Sequence, residues 1–163
     1  MTSTITAATM TVTVTESISL NGKDQGGTNT LTVASVNEVV KRIVTVSTTE
    51  SGLLGFSTAS STDLSKSYLA GQFDEDDVRY IRITNLDDTN HVVLVFRSEG
   101  SAEFAMVLDA GHSFICPGDN SGGVKDIMDA SASALSVGLE DLVDITADAD
   151  TASCDLEVFV ASV

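Results

Sequence analysis

Between Met10 and Leu20 the chain alternates. Met10, Val12, Val14, Ile18 and Leu20 occupy even positions, and Thr11, Thr13, Thr15, Ser17 and Ser19 the odd ones. A period of two places successive side chains on opposite faces of an extended strand, so this stretch predicts a half-buried β-strand. Thr and Val reinforce the reading, because a β-branched side chain loses χ1 freedom in a helix and packs well on a pleated surface. Asn21-Gly22 follows at once, the strongest two-residue hairpin signal. The Gly-rich stretch from Lys23 to Asn29 also allows a longer loop. The first nine residues are small and polar and are expected to form a flexible N-terminal arm, with residues 10–163 as one β domain.

The rest of the chain repeats the strand signal. Residues 31–46 mix two periods: Val36, Val39, Val40 and Ile43 have helical spacing, but the segment is dominated by β-branched residues. Two strands, at 30–35 and 39–47, are expected, with a short helix over Val36–Arg42 as the alternative. A strand near 53–57 and a Ser/Thr-rich loop come next, then the acidic run Asp74-Glu75-Asp76-Asp77. From Arg79 to Phe96 two strand-like segments flank Asn85-Leu86-Asp87-Asp88-Thr89-Asn90, which reads as a hairpin whose turn is closed by Asn and Asp side chains. Ile81 and Ile83 share one face of it, and Val92, Leu94 and Phe96 point inward on the return. Phe104, Met106 and Leu108 alternate in a further strand, and Ser113–Cys116 makes a short one ended by Pro117-Gly118. Residues 119–133 read as a long loop, or one with a helical turn at Val124–Met128. Ala134–Leu139, Leu142–Ala147 and the alternation Leu156, Val158, Val160 close the chain. About eight to ten short strands separated by turn signals predict an all-β fold, an antiparallel β-sandwich or jelly roll.

Composition bounds function. With 163 residues the chain buries roughly two-thirds of its unfolded surface as one domain. Twenty-four acidic residues against eight basic give a net charge of −16, which opposes non-specific contact with nucleic acid or anionic membrane. Such a surface suits solubility, an exposed position or adaptation to salt. No run approaches the apolar length of a membrane helix, and the N-terminus lacks the basic and apolar regions of a secretory signal.

Catalytic, cofactor and metal signatures are not found in the sequence. Cys116 and Cys154, in apolar strand contexts, read as buried free thiols of a chain made in a reducing compartment; a bridge between them requires neighbouring strands. His91 and His112 read as surface histidines outside any nucleophile–base pattern. There is no G-x-S-x-G elbow, P-loop or dinucleotide-binding glycine motif. Among 24 acids, chance carboxylate pairs are expected, and with no Trp and two Tyr a sugar-stacking platform is poorly supplied. Asp74–Asp77, Asn85–Asn90 and Asp148–Asp150 offer oxygens to a hard cation but match no cation-loop spacing, so they read as solvated acidic loops.

Three stretches carry a family resemblance: "TESISLNGKDQGGTNTLTVASVNEVVKRIVTVSTTE", "DDVRYIRITNLDDTNHVVLVFRSEGSAEFAMVLDAGHSFI" and "ITADADTASCDLEVFVASV". Over roughly two-thirds of the chain they resemble small virion structural proteins of tailed, especially marine, bacteriophages. The resemblance implies a non-enzymatic accessory β-sandwich of the particle, made in the host cytoplasm. It would be a capsid decoration (cement) protein or a tail, neck or fibre component. Implied partners are further copies of itself, a trimer by preference, and the major capsid protein or other virion proteins. A receptor- or glycan-binding sandwich is the competing expectation.

Overall fold

The computed structural model describes residues 4–57, 72–100, 102–120, 122–129 and 138–163, and among these it contains thirteen strands and no helix. They are β1 (Ala8–Glu16), β2 (Ser19–Leu20), β3 (Lys23–Asp24), β4 (Gly27–Val36), β5 (Glu38–Val46), β6 (Ser51–Ser57), β7 (Gln72–Asp74), β8 (Val78–Asn85), β9 (Val92–Ser98), β10 (Glu103–Leu108), β11 (Ser113–Cys116), β12 (Leu142–Ala149) and β13 (Cys154–Ser162). The number exceeds the expected eight to ten because β2, β3 and β7 are pieces of two or three residues. The strand expected at 134–139 lies largely outside the described residues, as does the loop expected after residue 57.

The fold is a β-sandwich. A five-stranded sheet of order β10-β9-β12-β6-β7 faces a four-stranded sheet of order β11-β8-β13-β5. Every pair is antiparallel except β6–β7, which is parallel and joins Gly55 to Gln72 and Phe56 to Phe73. Antiparallel pairing throughout was expected. A parallel neighbour needs a long connection rather than a tight turn, and β6 ends at Ser57 while β7 begins only at Gln72.

Alternating residues of both sheets meet in one core. Ile81, Ile83, Leu156, Val158 and Val160 come from one sheet, and Leu53, Leu54, Phe56, Val92, Leu94 and Ile145 from the other. Each fully buried side chain of this size contributes about 1.5–3 kcal/mol through removal from water. Leu53 and Leu54 are adjacent yet both buried, because the β6–β12 register slips between Ile145 and Thr146 and turns the extra residue inward.

The expected hairpin from Arg79 to Phe96 is corrected by the topology. β8 belongs to the four-stranded sheet and β9 to the five-stranded one, so Asn85–Asn90 carries the chain between sheets. Facing residues were read correctly, because alternation reports which side of a strand is buried and is blind to the strand it pairs with. The same holds for β10 and β11, joined by a turn at Gly111 yet lying in different sheets.

The N-terminal strands stand apart from both sheets. β1 pairs only with β4, and β2 with β3, making a long two-stranded ribbon whose tip is Asn21-Gly22. Both tip residues have positive φ, 51° and 76°, as the two-residue turn requires. Near the root, Ala8 pairs with Val36 but Met10 with Val33, so β4 carries an extra residue there, and Ser35 adopts a φ of 61°. This bulge reverses the alternation, so Val33 and Val36 both face inward although three positions apart. The helix-like spacing of Val36, Val39, Val40 and Ile43 carries no helix: β5 is an ordinary strand on which Val39 and Ile43 are exposed.

Candidate functional site

The ribbon lies against the outer face of the four-stranded sheet. Val33 and Val36 are buried there with Tyr80 and Ala161, and Met10, Val12, Leu31 and Phe159 pack around them. Tyr80 meets Phe159 edge-on, with ring centroids 6.0 Å apart and planes at 74°. Burial pushes the Tyr80 hydroxyl above its ordinary range. Farther along the same face Arg82 reaches Glu157 at 2.5 Å and Lys41 reaches it at 3.0 Å, and these two cations hold the Glu157 carboxyl below the usual carboxylate range. A groove remains between β1 and the sheet, floored by Tyr80, Arg82, Ile115 and Phe159.

The sheet covers only the root of the ribbon. Met10 and Val12 are half-buried, but Val14, Ile18 and Leu20 continue the same apolar stripe into solvent, with Ile18 54% and Leu20 60% exposed. Alternation in the sequence announced an apolar face, and its length gave no sign that the molecule leaves half of that face uncovered. The signal available was the turn: a ribbon closed at Asn21-Gly22 reaches farther than its own sandwich does.

The residues weighed for chemistry are scattered. His91 lies 3.9 Å from Asp150, and the His112 ring nitrogen is 2.9 Å from the Ala110 carbonyl oxygen; both are at the surface, as expected. Cys116 and Cys154 are free thiols on β11 and β13, and β8 lies between those strands, so the condition for a bridge is not met. Cys154 is buried, and burial pushes both thiols up. Among the described residues no three His, Cys, Asp or Glu side chains form a group suited to a metal ion.

The acidic loops hold themselves together. In the crossing loop, Asp87 Oδ1 accepts the backbone amides of Asn90 at 2.6 Å and Thr89 at 2.8 Å, which hold its carboxyl below the usual range. At the 74–77 turn, Asp74 Oδ1 accepts the Asp76 amide and Lys125 sits 3.6 Å from Asp76. Glu75 is different: it is buried, and burial first, then the charges of Asp141, Asp76, Asp74 and Glu99, push its carboxyl up. On the outer face of the five-stranded sheet Arg97 gathers Glu50, Glu103 and Asp144.

Comparison of the chain with protein-family models, curated proteins and solved structures finds no match. Among the described residues no helix is long and apolar enough to cross a membrane.

Proposed function

We propose that this chain is a non-enzymatic structural component of a bacteriophage virion, a decoration (cement) protein on the capsid exterior that acts as a homo-oligomer, a trimer by preference. The observation that carries the reading is the ribbon. It is an amphipathic arm of paired strands whose apolar stripe runs beyond the sandwich that covers its root. An uncovered apolar stripe on a soluble chain is a contact surface for another protein. The rigid sandwich behind it supplies a fixed base, and the net charge of −16 opposes attachment to packaged nucleic acid and favours an outward position. The resemblance of the Arg79–Phe96 stretch and its sequel to phage virion proteins points the same way.

Two measurements test the reading. Light scattering after size exclusion, over a dilution series, gives the solution mass; a persistent trimer supports the oligomer. Co-sedimentation with bare capsids tests decoration directly. Binding that is lost in the Ile18→Asp, Leu20→Asp variant supports it. A protein that ignores capsids but joins tails or necks moves it to those parts of the particle, and affinity for host glycans favours the receptor-binding alternative.

A further inference from the structure

Among the described residues the sandwich is open along one edge. β10 and β11 are the end strands of their two sheets, and among the described residues neither has a strand partner on its outer side. Between them lies an apolar cavity of about 110 Å³. Phe96, Phe114, Cys116, Ile127 and Met128 line it, and Phe104 stands at its mouth, stacked on Phe96 with centroids 4.6 Å apart yet still 40% exposed. Such a lining offers water almost no hydrogen bond, so the cavity suits an apolar group; cavities of ~150 Å³ with similar walls take up benzene. An unpaired strand edge beside it presents free N–H and C=O groups. Edge and socket together are what an extended segment needs, its main chain adding to the sheet and one side chain filling the hole.

We propose that this edge receives the N-terminal segment of a second copy, with residues 4–7 adding to β10 and Ile5 seated in the cavity. The inference rests on the self-association in the reading above. Three observations select the occupant. Ile5 is 72% exposed, more than the other large apolar side chains at the described surface, and Thr4–Ala7 belongs to no strand of its own chain. Thr4-Ile5-Thr6 has the alternation of a strand with one inward apolar residue. No charged side chain occurs before Glu16, so this segment approaches a molecule of net charge −16, with Glu103 on the receiving strand, without Coulomb repulsion.

Cys116 in the cavity wall makes the inference testable. The full-length Ile5→Cys chain is oxidised with diamide and run on a non-reducing gel, beside wild type and the Ile5→Cys, Cys116→Ala double variant, with light scattering of each. The expected result is dimer-sized and larger linked species that require both the thiol introduced at position 5 and Cys116, and that vanish in the double variant. Ile5→Asp should weaken self-association at least tenfold. Multimeric wild type with no link through Cys116 overturns the socket while leaving self-association standing. A link confined to monomer assigns the cavity to the chain's own arm and overturns the second-copy occupant. Wild type monomeric at every concentration, with no link, overturns both.

Discussion

Asn85 donates its side-chain amide to the Asn90 carbonyl at 2.9 Å, tying together the two ends of the loop that crosses between the sheets. The same amide reaches the Leu108 carbonyl at 3.2 Å, and Asn85 Oδ1 accepts the Asp87 amide at 3.0 Å. Asn85 is fully buried, and Asn85→Ala takes the side-chain partner from the buried Leu108 carbonyl and from the half-buried Asn90 carbonyl and Asp87 amide. At about 1–3 kcal/mol for a buried group left unpaired, a loss of roughly 2–5 kcal/mol is expected. A urea midpoint shift worth less than ~1 kcal/mol would show that the side chain is not the tie its bonds describe.

Glu75 gives a pH dependence of defined sign. Its folded-state affinity for a proton is raised, so its favourable contribution is present below the ordinary glutamate range and is lost as pH rises through the folded value. Glu75→Gln should therefore stabilise the protein at pH 7 to 8, with the gain shrinking towards zero below about pH 4. Thermal melting of both proteins from pH 3.5 to 8 checks it; a destabilised variant at pH 8 would contradict the sign.

Two glycines with positive φ separate strain from collision. At Gly111, φ 72°, a methyl group meets open space, so Gly111→Ala should cost about 1–2 kcal/mol from backbone strain alone. At Gly123, φ 64°, it runs into the Glu75 carbonyl and the Val78 carbonyl, within a turn closed by the Asp119 amide on the Gly123 oxygen at 2.6 Å. Gly123→Ala should cost clearly more than Gly111→Ala in the same denaturation series. Equal costs would mean that the 119–123 turn yields freely.

The ribbon should show stability and association as separable properties. Ile18→Thr with Leu20→Thr alters only exposed side chains and should change stability by about 0.5 kcal/mol or less. The same variant should lose self-association or capsid binding. Val33→Ala, at the buried root, should cost roughly 1–3 kcal/mol. If the double threonine variant instead unfolds, the stripe is serving its own fold.

Which faces are buried was legible in the sequence; which strands are neighbours was not. Ile81, Ile83, Val92, Leu94 and Phe96 point where their alternation says, because burial acts on each strand separately. Pairing depends on whether the loop at 85–90 folds back or crosses over, and Asn and Asp side chains stabilise either path. The mixed periodicity around Val36 hid a bulge, since one extra residue at Ser35 shifts parity without leaving any compositional mark. The apolar cavity was also invisible: Phe104, Phe114 and Cys116 are ordinary strand residues until β10 and β11 are seen to end their sheets on the same side.

The position of the last strands sets the order in which this fold can be completed. β13 lies between β5 and β8, and β12 between β6 and β9. A ribosome delivers the flanking strands first and the bridging ones only with residues 142–162. Until then β5 has no neighbour, and the β8–β11 and β9–β10 pairs can form only as separate halves. Folding of the sandwich is thus a late, long-range event, slow by the standards of chains with local contacts. During that wait, rows of unpaired Val and Thr residues on nascent chains are exposed to one another, the condition under which β proteins aggregate. Up to residue 141 the chain already carries 19 acidic against 8 basic residues, a net charge of −11, which keeps those half-made chains apart. The acidity that the finished surface displays is thereby also a safeguard during synthesis.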